Sequence, residues 1–327
     1  MSAAAGGNIL VIKHGALGDL VLALGPLQAI RAHHPDARIT LLTTKPYAAF
    51  MRACPWIDEV WEDARPKAWQ PGRVLALTRR LRAGRFARVY DLQTSRRTGW
   101  YIRLMGRPRP EWSGIARGCS HPHADPGRDR LHTLVRQRDQ LRVAGIARVP
   151  PPDLAWADAD VRHLGVAEPF ALLAPGSAAG RPAKRWPAGR FCALAAWLAR
   201  QGMQPVLVGT AADADALTAV RSACPTALDL GGRTTLAELA ALARRARLAV
   251  GNDSGPMHVA AVAGCPSLVL FGPASDPALT APRGPAVAVL RSPDLARLTL
   301  EEVLAALPSC AGPLLDTPPI RTTLRLP

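Results

Sequence analysis

Five residues within six positions, Asp253, Ser254, Gly255, Pro256 and His258, carry groups well placed to do chemistry in this 327-residue chain. They lie in LAVGNDSGPMHVAAVAG, residues 248–264. The stretch reads as a short apolar strand, a sharp turn over 251–255 and a helix opening at Pro256, where the fixed φ of proline and its missing N–H suit the first helical position. The free N–H groups of such a helix start attract anions, phosphate above all. His258, in the first turn, can add a donor. An ordinary β-α turn capped by Asp253 or Ser254 uses the same residues. A second carboxylate, Asp19, follows the first strand in HGALGD. It sits where open α/β sheets place their sites, and it fits a helix cap equally well. Only four lysines occur, Lys13, Lys45, Lys67 and Lys184, against 37 arginines. Arginine therefore supplies the generic surface charge, Lys45 and Lys67 read as solvated surface, and a lysine in a site-like loop carries information.

The elements that must position these groups come in two rounds. Asn8–Lys13 is a buried strand by its apolar run, followed by a Gly-containing loop and a helix over 20–31, the opening of a Rossmann-like unit. Gly15 and Gly18 do not fit GxGxxG, and no Gly-Lys pair exists for a P-loop, so neither nucleotide fingerprint applies. Strands follow over 38–43, 56–61 and 88–93, with helices over 71–85, 101–105 and 131–143. His132 and Arg136 are one turn apart on the last of these. Residues 106–130, rich in Pro, Gly, Arg and His, read as loop. The Pro-rich run 147–169 is the natural domain boundary. The pattern then restarts, with strands over 170–174, 205–208, 227–230, 248–250, 267–271 and 287–290. Capping boxes stand at Thr235/Glu238 and Thr299/Glu302. The expectation is α/β: two doubly wound parallel-sheet halves, residues 1–155 and 165–300, facing a cleft across their C-terminal strand edges, with a terminal helix and tail over 301–327.

Composition narrows the function. Hydrophobic residues at 48% allow real cores and charged residues at 20% argue against disorder. Six scattered cysteines with no CxxC pair fit neither a zinc site nor a disulfide framework, and point to a reducing compartment. MSAAAGG does not open a signal peptide and no apolar run spans a bilayer, so a cytoplasmic protein is expected. The net charge of +16 calls for acidic partners. It is concentrated: residues 79–148 hold seventeen Arg against five acidic residues. Aromatic content of 5% and the lack of an aromatic-basic motif speak against a nucleic-acid binder.

Four segments together resemble glycosyltransferase family 9, the ADP-heptose:lipopolysaccharide heptosyltransferases: IKHGALGDLVLALGPLQAIR, APGSAAGRPAKRWPAGRF, VGNDSGPMHVAAVAG and LFGPASDP. Weaker echoes are DLQTSRR and the His132/Arg136 pair. The resemblance covers residues 8–307 and implies a GT-B fold of two Rossmann-like domains, the first binding acceptor and the second the nucleotide sugar. It implies inverting transfer of heptose from ADP-heptose to the lipopolysaccharide inner core, either Kdo-lipid A or a heptosyl acceptor, with no metal and no cofactor. Asp19 matches the family's general base and Lys184 its diphosphate-binding lysine. Ser177, Ser254 and Gly255 would meet the phosphates, His258 would bond a phosphate or brace that loop, Asp253 would bind the donor sugar or orient the turn, and Asp213 would meet the ribose, while Thr234 lies near the expected adenine pocket with no side-chain role assigned. Arg96, Arg97, His132 and Arg136 would meet an anionic lipid-linked acceptor, with Arg117 and Arg128 adding charge. The enzyme would then work peripherally on the cytoplasmic face of the inner membrane, and the terminal segment would cross back to the first domain. The loop SAAGRPA has fewer hydroxyls than the family's usual form, which leaves another nucleotide-sugar donor or acceptor, or a GT-B nucleotide-sugar epimerase, as the alternative.

Overall fold

A computed structural model describes residues 7–177 and 180–311. Two six-stranded sheets, parallel throughout, make up the framework. The first contains β1 (Asn8–Ile12), β2 (Ile39–Thr43), β3 (Glu59–Glu62), β4 (Phe86–Asp91), β5 (Glu111–Gly114) and β6 (His121–Pro122), in the order β3-β2-β1-β4-β5-β6. The second contains β7 (Phe170–Ala174), β8 (Gln204–Leu207), β9 (Leu228–Asp229), β10 (Leu248–Asn252), β11 (Ser267–Phe271) and β12 (Val287–Arg291), in the order β12-β11-β10-β7-β8-β9. Read from β9, this is the same winding as the first sheet. Both are doubly wound, and both reverse direction beside their own first strand, at β1/β4 and at β7/β10. Such a switch point opens a crevice at the carboxyl ends of the strands.

The central strands β1, β2, β7, β10 and β11 are apolar and buried almost end to end, as parallel strands covered on both faces must be. One core cluster runs through both halves, joining Val11, Leu20 and Leu24 to Met257, Val259 and Phe271. Each sheet has a second cluster on its other face, around Trp112 and Tyr101 in one half and Trp186 and Phe191 in the other. The Pro-rich connection is pinned: Leu154, Ala157, Val161 and Leu164 are buried, and Arg244 donates to Leu154 O (3.2 Å) and Ala157 O (2.8 Å).

Several elements differ from the sequence reading. The helix expected over 20–31 is two, Leu17–Leu22 and Leu24–His33. Pro26 lacks an N–H, so the ladder is interrupted and restarts with proline in a first turn. Asp19 consequently lies inside a helical first turn. Residues 106–130 are not all loop: they contain β5, paired between β4 and β6, and the edge strand β6, both too short to show periodicity. Helix Arg96–Tyr101, with its Ser95/Thr98 capping box, replaces the one expected over 101–105. Helix Lys45–Met51 went unread. Helix Leu300–Ala306 packs against β12 and helix Ala188–Arg200 of the second half. The tail beyond Ala311, on which crossing back depends, lies outside the described residues.

Candidate active site

Asn252, at the end of β10, organises the second domain's side of the crevice. It is fully buried; its Nδ2 donates to Pro175 O (2.7 Å) and its Oδ1 accepts from Trp186 N (2.9 Å). One side chain thus fixes both the start of the loop after β7, which carries Ser177, and the turn carrying Lys184. Lys184 Nζ donates to Asp253 Oδ2 at 2.6 Å, and both side chains are largely shielded. The helix Gly255–Val262 begins directly after.

The ordinary cap does not form. Asp253 is held by Lys184, and Ser254 makes no side-chain cap bond although it occupies the cap position. Ser254 Oγ and His258 Nδ1 are buried with no hydrogen-bond partner among the described residues. Burial pushes the His258 pKa down to about 4, against the pull of Asp253 and Asp19, so the ring is neutral near pH 7. A helix N-terminus with free N–H groups, an unpartnered hydroxyl and an unpartnered imidazole nitrogen is an anion cradle. Buried polar atoms rarely go unbonded in a finished structure, so the cradle is suited to a ligand.

Asp213 lies on the rim. Its Oδ2 accepts from Thr210 N (3.0 Å) and Thr210 Oγ1 (2.9 Å), capping its own turn. Its Oδ1 is buried 3.6 Å from Arg185 Nη2 and makes no hydrogen bond. Arg185 also reaches Ser177 O (3.3 Å) and Oγ (3.4 Å), tying this turn to the loop after β7. Sequence reading passed over Arg185.

The first domain closes the cleft. A Cβ on Gly18 would stand 2.6 Å from His258 Cδ2, and one on Gly255 would stand 2.7 Å from Leu17 Cβ. The two helices therefore touch backbone to side chain through two glycines, one from each domain. The result is a cleft of about 440 Å³ lined by Asp19 from one side and by Ser177, Lys184, Asp213, Asp253, Ser254, Gly255 and His258 from the other. Tyr47 and Thr280 also line it, and nothing local in the sequence marks either. Among the described residues no group of three or more His, Cys, Asp or Glu could hold a metal ion.

A second recess, about 500 Å³, opens beside the first and shares Ala16 and Tyr47 with it. It is lined by His14, Thr44, Arg65, Gln93, Ser95 and Arg97. Asp63 organises this wall: its Oδ2 accepts from Tyr101 OH (2.6 Å) and lies 2.8 Å from His14 Nε2, and its Oδ1 accepts from Arg65 N (2.7 Å). Beneath the junction Lys13 is buried, with Nζ donating to Leu92 O (3.3 Å). Burial pushes its pKa down while nearby Asp19 pulls it up. Asp91, at the end of β4, is pushed up to about 6 by burial, against hydrogen bonds from Thr98, Thr94 and Gln93. The rarity of lysine was the one available signal for Lys13.

The four residues expected to meet acceptor separate. Arg97 lines the second recess, whereas Arg96 is exposed outside it. His132 has both ring nitrogens engaged: Nδ1 accepts from Leu134 N (3.2 Å), which makes Nε2 the donor to Ala281 O (3.0 Å). Thr133 Oγ1 donates to Leu279 O (3.3 Å), so this helix start bridges the two domains. Arg136 donates to Thr133 Oγ1 (3.3 Å) and faces Asp129 at 3.7 Å. Neither His132 nor Arg136 lines either recess, and the same holds for Arg117, Arg128 and Thr234.

With this geometry in hand, similarity to known proteins is informative. The model for glycosyltransferase family 9 (heptosyltransferase) matches residues 74–303. Lipopolysaccharide heptosyltransferase 2 of Escherichia coli K12 is 28% identical over 307 residues, covering 87% of this chain and 88% of that protein. The solved E. coli ADP-heptose lps heptosyltransferase II superposes with a TM-score of 0.77 at 23% identity, covering 93% of this chain and 98% of that one. A family 9 glycosyl transferase from Veillonella parvula superposes with a TM-score of 0.81 at 23% identity, over 96% and 98% of the two chains. At that identity the superpositions speak for the fold, and the paired doubly wound sheets are the GT-B architecture.

Proposed function

Because the chain belongs to glycosyltransferase family 9, and is a glycosyltransferase, we propose that it transfers heptose from ADP-heptose to the lipopolysaccharide inner core with inversion. The observation that carries this reading is the pairing across one cleft of an isolated carboxylate, Asp19, with an anion cradle built at Ser254–His258. The donor diphosphate lies on the helix start, contacted by Gly255 N–H, Ser254 Oγ and His258. Lys184 meets the charge that grows on the departing ADP, where a fixed cation stabilises the transition state more than the ground state. Asp253 binds donor hydroxyls or holds Lys184, Ser177 meets the phosphates, and Asp213 meets the ribose through its open Oδ1.

The second recess is assigned to the acceptor, with Arg65 and Arg97 facing its acidic groups. Arg96 serves at the outer rim. His132 holds the two domains together through Ala281 O, and Arg136 braces that helix start through Thr133 and Asp129. The acceptor hydroxyl oxygen attacks the anomeric carbon of the donor while Asp19 takes its proton. The bond from that carbon to the diphosphate oxygen breaks, and ADP leaves with the electron pair. One displacement inverts the centre and needs no enzyme nucleophile. The acceptor is lipid-linked and is reached from the cytoplasmic face of the inner membrane.

Two measurements test this. Calorimetric titration with ADP, GDP and UDP is expected to show selective ADP binding; UDP or GDP binding alone would change the donor but keep the transferase. In a transfer assay with ADP-heptose, Asp19→Ala is expected to lower turnover by about a hundred- to ten-thousand-fold with ADP affinity unchanged. Turnover near wild type removes Asp19 from the base role. Release of free nucleotide without acceptor would redirect the reading to an epimerase.

A further inference from the structure

Residues 64–110 hold thirteen Arg and Lys against one carboxylate, Asp91, and Asp91 is fully buried. The same segment exposes three large apolar side chains: Trp69 (73%), Leu75 (48%) and Trp100 (39%). They sit on two elements lashed side by side. At one end Arg97 Nη1 donates to Arg65 O and Pro66 O, both at 3.1 Å. At the other, Arg82 Nε donates to Leu104 O at 3.1 Å. Helix Pro71–Ala83 turns Leu77 and Leu81 into the core, which leaves Arg73, Leu75, Arg79 and Arg82 outward. Trp100 is three positions after Arg97 and so shares its side of helix Arg96–Tyr101. Lys67 Nζ lies 4.8 Å from the centre of the Trp69 ring, so the most exposed tryptophan is flanked by charge.

We propose that this basic, tryptophan-bearing face of the first domain docks on an anionic lipid surface. Three chemical features select that partner. Arginine and lysine without exposed carboxylates complement a negative surface potential. Tryptophan settles at the boundary between headgroups and acyl chains, because its ring is apolar and its N–H is wet. Leu75 adds apolar area that a phosphodiester strand cannot use. Among the described residues no helix is long and apolar enough to cross a membrane, so attachment by this face is reversible and sensitive to salt. The proposal rests on the reading of a lipid-linked acceptor: Arg65 and Arg97 belong to both the docking segment and the wall of the second recess, so docking turns that recess toward the bilayer.

Flotation of the full chain with phosphatidylcholine vesicles, with and without about one-third phosphatidylglycerol, tests it. Binding is expected only to the anionic vesicles and is expected to weaken as salt rises. Each basic side chain contributes about fivefold, so the triple variant Lys67→Glu, Arg73→Glu, Arg79→Glu is expected to lose about 100-fold or more. Trp69→Ala with Leu75→Ala is expected to weaken binding with its charge dependence intact. ADP titration of the same proteins monitors folding: unchanged ADP affinity with lost flotation supports the surface. Equal binding to neutral and anionic vesicles, wild-type flotation of the triple variant, or displacement from anionic vesicles by a short oligonucleotide overturns it. Failure of the wild type to bind ADP would count against the donor site alone, since flotation is read independently.

Discussion

Asp253 holds Lys184 in a pair that is mostly shielded from water, and the two charges serve each other before any donor arrives. Removing one partner leaves the other uncompensated. Asp253→Ala is expected to destabilise the protein by about 3 kcal/mol. If the diphosphate lies where proposed, ADP restores the missing negative charge, so the rise in Tm on adding ADP is expected to be larger in the variant than in wild type. Thermal unfolding with and without ADP checks this, and an equal or smaller rise would place Lys184 away from the phosphates. The carboxylate of Asp253, the hydroxyl of Ser254 and the ring of His258 were legible as a candidate cluster from type and spacing. That Ser254 caps nothing, and that His258 stays neutral, was not, because both depend on burial by a helix from the other domain.

The crevice is narrow because two helices meet at two glycines. Gly18→Ala puts a methyl group 2.6 Å from Cδ2 of the His258 ring, well inside van der Waals contact. The helices must separate or His258 must leave its rotamer, at a cost of about 1–3 kcal/mol. Turnover and ADP affinity are both expected to fall, turnover the more, since Asp19 sits next to Gly18 and moves with it, while the displaced His258 is only one part of the proposed anion cradle. A KM and kcat comparison separates the two effects; unchanged kcat would mean that the contact is loose. At this scale the central strands and the capped helices were readable, because long apolar runs and Ser/Thr–Glu pairs act locally. The short strands β5 and β6 and the broken helix at Ala23 were not, since strands of two to four residues lack periodicity and the break depends on how Pro26 meets the preceding turn.

Across the described residues, burial pushes five histidines below their ordinary value, His33, His123 and His132 as well as His34 and His258. His34 and His258 are each pushed down to about 4 from an ordinary value near 6.5. The unfolded chain takes up protons on these rings as pH falls below 6.5, while the folded chain resists until about pH 4. Stability carried by the two rings is therefore present above pH 6.5 and lost as pH falls toward 4. Asp91, raised to about 6, works the other way: its contribution is present in acid and is lost as pH rises through about 6. These lowered rings against one raised carboxyl predict a net fall in Tm between pH 6.5 and 4. His258→Asn is expected to flatten that fall, and an unchanged slope would show that the ring is protonated in the native protein.

By itself the amino-acid sequence determined the repeated α/β winding, the absence of dinucleotide and P-loop fingerprints, and the candidate turn from Asp253 to His258, because each rests on local patterns of apolar runs, turns and caps, whereas Ser177, Lys184 and Asp213 were singled out by the family resemblance. The concentration of arginine in the first half was equally plain from composition. Only the tertiary structure decided which of those arginines share a surface or a recess. It brought His14, Tyr47, Arg65 and Arg97 together from separate loops and helices, and it gave His132 the place of a bridge to Ala281. It also set Asp19 against the second domain's helix start. Contacts between residues more than two hundred positions apart are fixed by how two sheets pack, and no local pattern encodes that distance.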